Sequence, residues 1–210
     1  MIRFVVPVIL SLFFASPACA ALGFFGSYIF MDANGSFQIY DLTAPGGARA
    51  SDPTDFDGFN LGSFNPAAGN TLAISGAEGL TFKNGSSDVF GANLNYSVVP
   101  TGGSHAFSEV AIGFTSNASF NDAAGTSYGG SGDQKWSDSG AWAPIDILGS
   151  LSNGTYEIQV FLRGTSNEGD FFHNNAPTFA NYTATFSVIP EPTTLVMFGS
   201  AALCLLRRRR

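Results

Sequence analysis

Cysteine is almost missing from this chain of 210 residues: there are two, Cys19 and Cys204, and each lies in an apolar run at one end. The body between them has no disulfide to draw on, so its stability must come from packing or from bound ions. Positive charge is equally scarce. Of nine basic residues only Arg49, Lys83, Lys135 and Arg163 fall in the body, against fifteen acidic residues before Glu191, which leaves a net charge of −11. Phosphate binding relies on basic clusters, so nucleic acid is a poor partner. Calcium or a neutral polysaccharide is easier to accommodate. Histidine is limited to His105 and His173, and neither sits in a close-spaced ligand motif such as H-E-x-x-H.

Sustained helical periodicity is lacking too, and in its place apolar residues alternate with polar ones. Leu94, Tyr96 and Val98 alternate with Asn93, Asn95 and Ser97. Tyr156, Ile158, Val160 and Leu162 do the same, and so do Tyr182, Ala184, Phe186 and Val188. Period two over such lengths is the mark of an antiparallel sheet with one face on a core. Shorter candidates lie at Ser27–Met31, Ser36–Leu42, Thr71–Ser75 and Glu109–Thr115, separated by turn signals such as Asn34-Gly35, Thr101-Gly102-Gly103 and Asn153-Gly154. The fold class this predicts is all-β: an antiparallel β-sandwich, jelly-roll-like, with phenylalanines filling the centre. Tyr96, Ile158, Val160 and Phe186 should share that core. Asn121–Gly140, rich in Gly, Ser and Asp, reads as a long surface loop.

Chemistry is thin along the body. Gly125-Thr126-Ser127-Tyr128-Gly129 matches the G-x-S-x-G nucleophile elbow, but the polar residues around it offer neither the strand before nor the helix after that would strain the serine. Glu78, Glu109 and Glu157 could supply the carboxylate pair of a glycosidase only if the fold brought two of them together. No catalytic residue is assigned, and the body is read as non-enzymatic. Asp52, Asp55 and Asp57, followed by Gly58, form the best candidate for calcium, since hard oxygen ligands suit that ion. Trp136 and Trp142 flank an Asp/Ser/Gly segment and are the candidates for stacking on sugar rings, weighed against anchoring a loop in the core.

The two ends are addresses. Arg3, the apolar stretch Phe4–Phe14, Pro17 and Ala18-Cys19-Ala20 compose a secretory signal peptide over residues 1–20, cleaved after Ala20 to leave Ala21 first. At the other end Pro190-Glu191-Pro192 breaks regular structure, Thr193–Leu206 is an uncharged span, and Arg207, Arg208, Arg209 and Arg210 close the chain. Fourteen residues make a helix of roughly 21 Å, short for a hydrocarbon core of about 30 Å, but snorkelling arginines help it to serve as a single transmembrane helix with its charges on the cytoplasmic side. A sandwich domain at 21–189 is thereby bounded by a sorting tail at 190–210.

This combination of residues resembles the PEP-CTERM proteins of Gram-negative bacteria. The resemblance implies recognition by an exosortase-type membrane peptidase, a transient inner-membrane anchor, cleavage near Pro190-Glu191-Pro192, and delivery to the cell surface or the extracellular matrix. Within the body, Phe59–Phe64, Thr81–Gly85, Gly91–Tyr96, Gly132–Trp136 and Asn181–Phe186 resemble a domain that recurs in exported and surface proteins of environmental bacteria. The reading that results is a structural or adhesive surface protein, with an exopolysaccharide-binding module as the alternative and a hydrolase third.

Overall fold

The computed structural model describes residues 22–42, 53–138, 142–174 and 180–191. The signal peptide with Ala18, Ala20 and Ala21, the residue Asp52, and the tail from Pro192 through Arg207, Arg208, Arg209 and Arg210 lie outside the described residues. Among the described residues no helix is long and apolar enough to cross a membrane.

Among the described residues there are fifteen strands, numbered in chain order, and thirteen of them form two principal sheets. Sheet A holds β1 (Leu22–Ala33), β2 (Ser36–Asp41), β3 (Thr54–Asp55), β5 (Leu72–Lys83), β8 (Phe114–Ser116), β11 (Gln134–Ser137) and β12 (Ile145–Asp146), in the order β3-β2-β1-β5-β11-β8 with β12 also on β5. Sheet B holds β4 (Asn60–Phe64), β6 (Val89–Pro100), β7 (Ser108–Ile112), β13 (Gly154–Ser166), β14 (Gly169–His173) and β15 (Tyr182–Val188), in the order β4-β15-β13-β6-β7 with β14 also on β13. β9 (Phe120–Asn121) and β10 (Ser127–Tyr128) make a small hairpin of their own.

One apolar core lies between the sheets. Sheet A contributes Ile29, Met31, Leu72, Ile74 and Ala77, and sheet B contributes Leu94, Ile158, Val160, Leu162 and Phe186, among others. This is the expected β-sandwich. Ile158, Val160 and Phe186 are buried, whereas Tyr96 is only half-buried, because its neighbour across the strand on one side is Ser108 of the edge strand β7. Local chemistry sets the first hairpin: Asn34 and Gly35 both have positive φ, 56° and 78°, as a two-residue turn between β1 and β2 requires.

Three features differ from the sequence-based expectation. First, β15–β4 and β2–β3 pair in parallel, because the segment Thr54–Phe64 runs up the side of the sandwich and joins neither sheet through a hairpin. Between its two strands Phe56 N donates to Asp41 O (2.9 Å) and Gly58 N to Thr183 O (2.7 Å), so this segment laces the sheets together. Second, β5 runs twelve residues, well past the expected Ser75. Its glycines stand where backbone and rings crowd in: a Cβ on Gly76 would lie 2.2 Å from Asp138 O, and one on Gly79 would lie 2.9 Å from Phe24 and Leu162 side-chain atoms. Third, Asn121–Gly140 is not simply a loop. It supplies β10 and the internal strand β11, which pairs with β5 on one side and β8 on the other.

Candidate functional site

The junction between domain and tail is built on a short turn. Asn65 precedes Pro66 and its side-chain oxygen accepts from Ala68 N (3.2 Å), capping a 3-10 turn that Gly69 ends with φ of 84°. Asparagine at the cap, proline just inside and glycine just after form a local stop-and-start signal legible in the sequence. The same Asn65 side chain donates through Nδ2 to Pro190 O (3.5 Å), while Ile189 N donates to Phe64 O (2.9 Å). Val188 pairs with Phe64 in the parallel ladder, and Ile189, Pro190 and Glu191 border a shallow hollow of ≈ 290 Å³ with Asn65, Pro66 and Leu151. Of the expected processing residues, Pro190 and Glu191 are therefore seated against the folded body. Asn65 was not among the residues singled out, although its cap signature marks it.

The aspartates are put to structural use. Asp55 lies in β3 beside Asp41 of β2, and Asp57 Oδ1 accepts from Thr183 N (2.9 Å), fastening the lacing segment to β15. Asp52, the third member of the expected set, is outside the described residues. Among the described residues no group of three or more His, Cys, Asp or Glu side chains is arranged to hold a metal ion.

The tryptophans differ from each other. Trp136 is a core residue, 5% exposed, with its indole N–H donating to Thr81 Oγ1 (3.2 Å). A ring enclosed in this way offers no face to a sugar, so Trp136 does the anchoring and not the stacking. Its position on an internal strand, packed edge-on to Phe114, is the physical reason. Trp142 is half-buried and packs against the margin of the same core.

Ser127 sits in the hairpin strand β10 and its hydroxyl donates to Asn121 Oδ1 (2.8 Å), with no helix following it as an elbow would need. Glu78 is buried in an ion pair with Lys135 (2.8 Å), Glu109 pairs with Arg163, and Glu157 contacts His105 (2.7 Å), so the three glutamates are committed separately. His173 lies between the sheets against Phe24 and Tyr182, with Nε2 3.1 Å from Leu42 O. Burial holds its imidazole down at about 4, and the Leu42 carbonyl only partly offsets that. It is a neutral packing residue. A cleft of ≈ 530 Å³ is lined by Asp32, Asn70, Thr71 and Asp146 among others, with Ala73 between the two aspartates in the register. Both carboxylates already serve turns: Asp32 Oδ1 accepts from Gly35 N (2.8 Å) and Asp146 Oδ1 from Leu148 N (2.9 Å).

The family model of the PEP-CTERM protein-sorting motif matches residues 188–210. The chain carries a PEP-CTERM sorting motif. That motif implies an exported protein, processed by an exosortase, which is a membrane peptidase, and held transiently at the membrane before it reaches the surface. Its match begins at Val188, the last residue of β15. Comparison with curated proteins finds no match. Among solved structures the chain is similar to the CooA pilin subunit from enterotoxigenic Escherichia coli, at 14% identity over 77% of this chain and 99% of that one, with a TM-score of 0.27. At that score the likeness bears on neither topology nor role.

Proposed function

We propose that the β-sandwich is a non-enzymatic structural and adhesive module, exported, held at the inner membrane by its tail, and released as a folded domain onto the cell surface or into the extracellular matrix. The observation that supports this is the junction itself: Ile189 and Pro190 are hydrogen-bonded to Phe64 and Asn65 of the body. A peptidase binds an extended chain, and β15 cannot be drawn into its cleft without breaking the ladders to β13 and β4. The scissile bond therefore falls on the C-terminal side of Pro190. Intact-mass measurement on protein recovered from the host surface should give a mature C-terminus at Pro190 or beyond. A mature end within Tyr182–Val188 would overturn this reading, as would full-length protein with an intact tail at the surface. Glu191→Ala, or removal of Arg207–Arg210, should leave precursor in the inner membrane.

Calcium enters the proposal as a ligand of Asp52, Asp55 and Asp57. The crowding of acid here supports it: Asp41 adjoins Asp55 in the register, and Asp41 and Asp57 both add to the upward shift that burial imposes on the Tyr182 phenol. Millimolar calcium should raise the melting temperature above that in sodium chloride of equal ionic strength. Asp55→Asn with Asp57→Asn should abolish the difference.

A further inference from the structure

The outer face of sheet B carries four rings in an unbroken row. Phe172 of β14 lies 6.1 Å from Phe161 of β13, Phe161 lies 5.1 Å from Phe107, and Phe107 stacks on His105 at 5.8 Å with an interplanar angle of 22°. Phe172 is 57% exposed and Phe107 is 39% exposed. Large apolar groups placed in contact on a solvent face mark an interaction surface more often than scattered ones do. The row is also bracketed by polar groups. Arg163 bridges Glu109 and Asp170 (3.2 Å to Asp170) beside Phe161 and Phe172, and Glu157 contacts His105 at the opposite end.

Three polar atoms along this row are left over. Among the described residues Asn95 Nδ2, His105 Nδ1 and Arg163 Nε are shielded from solvent and have no hydrogen-bond partner. Asn95, 7% exposed, is the register neighbour of Phe161 on one side and Glu109 on the other. Shielded polar atoms without partners are rare in native structures, and three on one face, the donors Asn95 Nδ2 and Arg163 Nε and the ring nitrogen His105 Nδ1, ask for an explanation. A ligand rich in hydroxyls supplies both acceptors and donors to such groups once an exposed ring such as Phe107 turns slightly.

We propose that this face binds an uncharged polysaccharide, laid along the row His105–Phe107–Phe161–Phe172. A pyranose ring presents a patch of C–H bonds on its face and hydroxyls around its rim, which matches aromatic faces flanked by amides and carboxylates. A row, unlike a single ring, fits a linear chain. Charge decides the class. The carboxylates on this face already hold Arg163, and Glu157 contacts the His105 ring, so among the described residues of this face no unpaired cation awaits an anionic chain, and a body of net charge −11 repels one. This deepens the adhesive role proposed above and rests on it, but it replaces Trp136 with rings that reach solvent.

The test is affinity electrophoresis of the full chain, purified in mild detergent, through gels containing a soluble β-glucan, a galactomannan or alginate. Retardation by an uncharged polymer is expected, with on the order of tenfold weaker binding for Phe107→Ala combined with Phe172→Ala. Phe172→Tyr should retain binding, and Phe114→Ala, at an exposed phenylalanine of sheet A, should leave it unchanged. Melting temperatures of the variants, measured alongside, separate lost binding from lost folding. No retardation by either uncharged polymer, stronger retardation by alginate, or full binding by the double variant overturns the proposal. So does wild-type self-association in sedimentation that the double variant abolishes in the absence of glycan binding, since the face would then be an interface between copies. Surface delivery is scored separately on the same variants, so failed binding with normal delivery sinks this proposal and leaves the sorting reading standing.

Discussion

The outer faces of the two sheets have opposite fates. On sheet A the β9–β10 hairpin folds over β1 and β5, and a second small core forms from Tyr28, Phe30 and Leu80 with Phe120 and Tyr128 packed against it. Asp122 fastens it: Oδ2 accepts from the hydroxyls of Tyr28 (3.0 Å) and Tyr128 (3.1 Å), and Oδ1 from Thr126 N (2.7 Å). Glu78 adds a second clasp, accepting from Ala123 N (2.8 Å) and Ser137 Oγ (2.9 Å). Burial, then the Asp122 hydrogen bond, lifts the Tyr28 phenol far above its usual range, so it stays a donor. On sheet B nothing comparable covers Phe107, Phe161 and Phe172 among the described residues. The contrast is visible strand by strand: β1 has six consecutive buried residues, Gly26–Met31, while β13 alternates buried and half-buried from Tyr156 to Ser166. Coverage of the second face, and not the sheet alone, decides which pattern a strand shows.

The comparison breaks most visibly if the second core is not load-sharing. Phe30→Ala, on the covered face of sheet A, should cost about 3–5 kcal/mol in urea unfolding, on a par with about 2–5 kcal/mol for Ile158→Ala in the shared core. A cost under about 1 kcal/mol for Phe30 would reduce the hairpin to a loose cover.

Acid titration separates the interior from the open face next. The folded imidazole of His173 binds its proton only near 4, whereas the unfolded one binds it from 6.5. Between those values the unfolded state takes up more protons, so this contribution is full above pH 6.5 and is lost as pH falls toward 4, on the order of 3 kcal/mol in all. Denaturation midpoints across that window should show the slope, and His173→Phe should flatten it.

Smaller again is the clasp. Asp122→Ala leaves two tyrosine hydroxyls and the Thr126 N–H without their acceptor and should cost about 1–3 kcal/mol. Proteolysis should then cut first within Asn117–Gly130, while the sheet B ladders keep their amide protection in hydrogen exchange. Uniform loss of protection in both sheets would mean that the hairpin is integral to the whole sandwich.

Least affected should be the open face. Phe172→Ala should move stability by no more than about 0.5 kcal/mol, because the ring is mostly in solvent. A larger loss would show the row to be packing for its own sake.

Where one face of a strand meets a core and the other meets water, the sequence alone determined the outcome. Ile158, Val160 and Phe186 were assigned to the core from period two, and Asn34-Gly35 was assigned to its turn from the positive φ that few other residue pairs tolerate. The sorting motif at the C-terminal end was legible for a similar reason, since it is read as a linear string. Tertiary structure decided the rest. β5 escaped notice beyond Ser75 because both its faces are covered, and glycine at positions 76 and 79 makes room for neighbours that no local pattern announces. β11 was hidden because four residues flanked by Gly, Ser and Asp carry too little periodicity, and only pairing with β5 and β8 makes them a strand and Trp136 a core residue. Asp57 earned its place by meeting Thr183 from across 126 positions. The row of His105, Phe107, Phe161 and Phe172 comes from three separate segments, and side chains so far apart in the chain become neighbours only when the register of sheet B puts β13 between them.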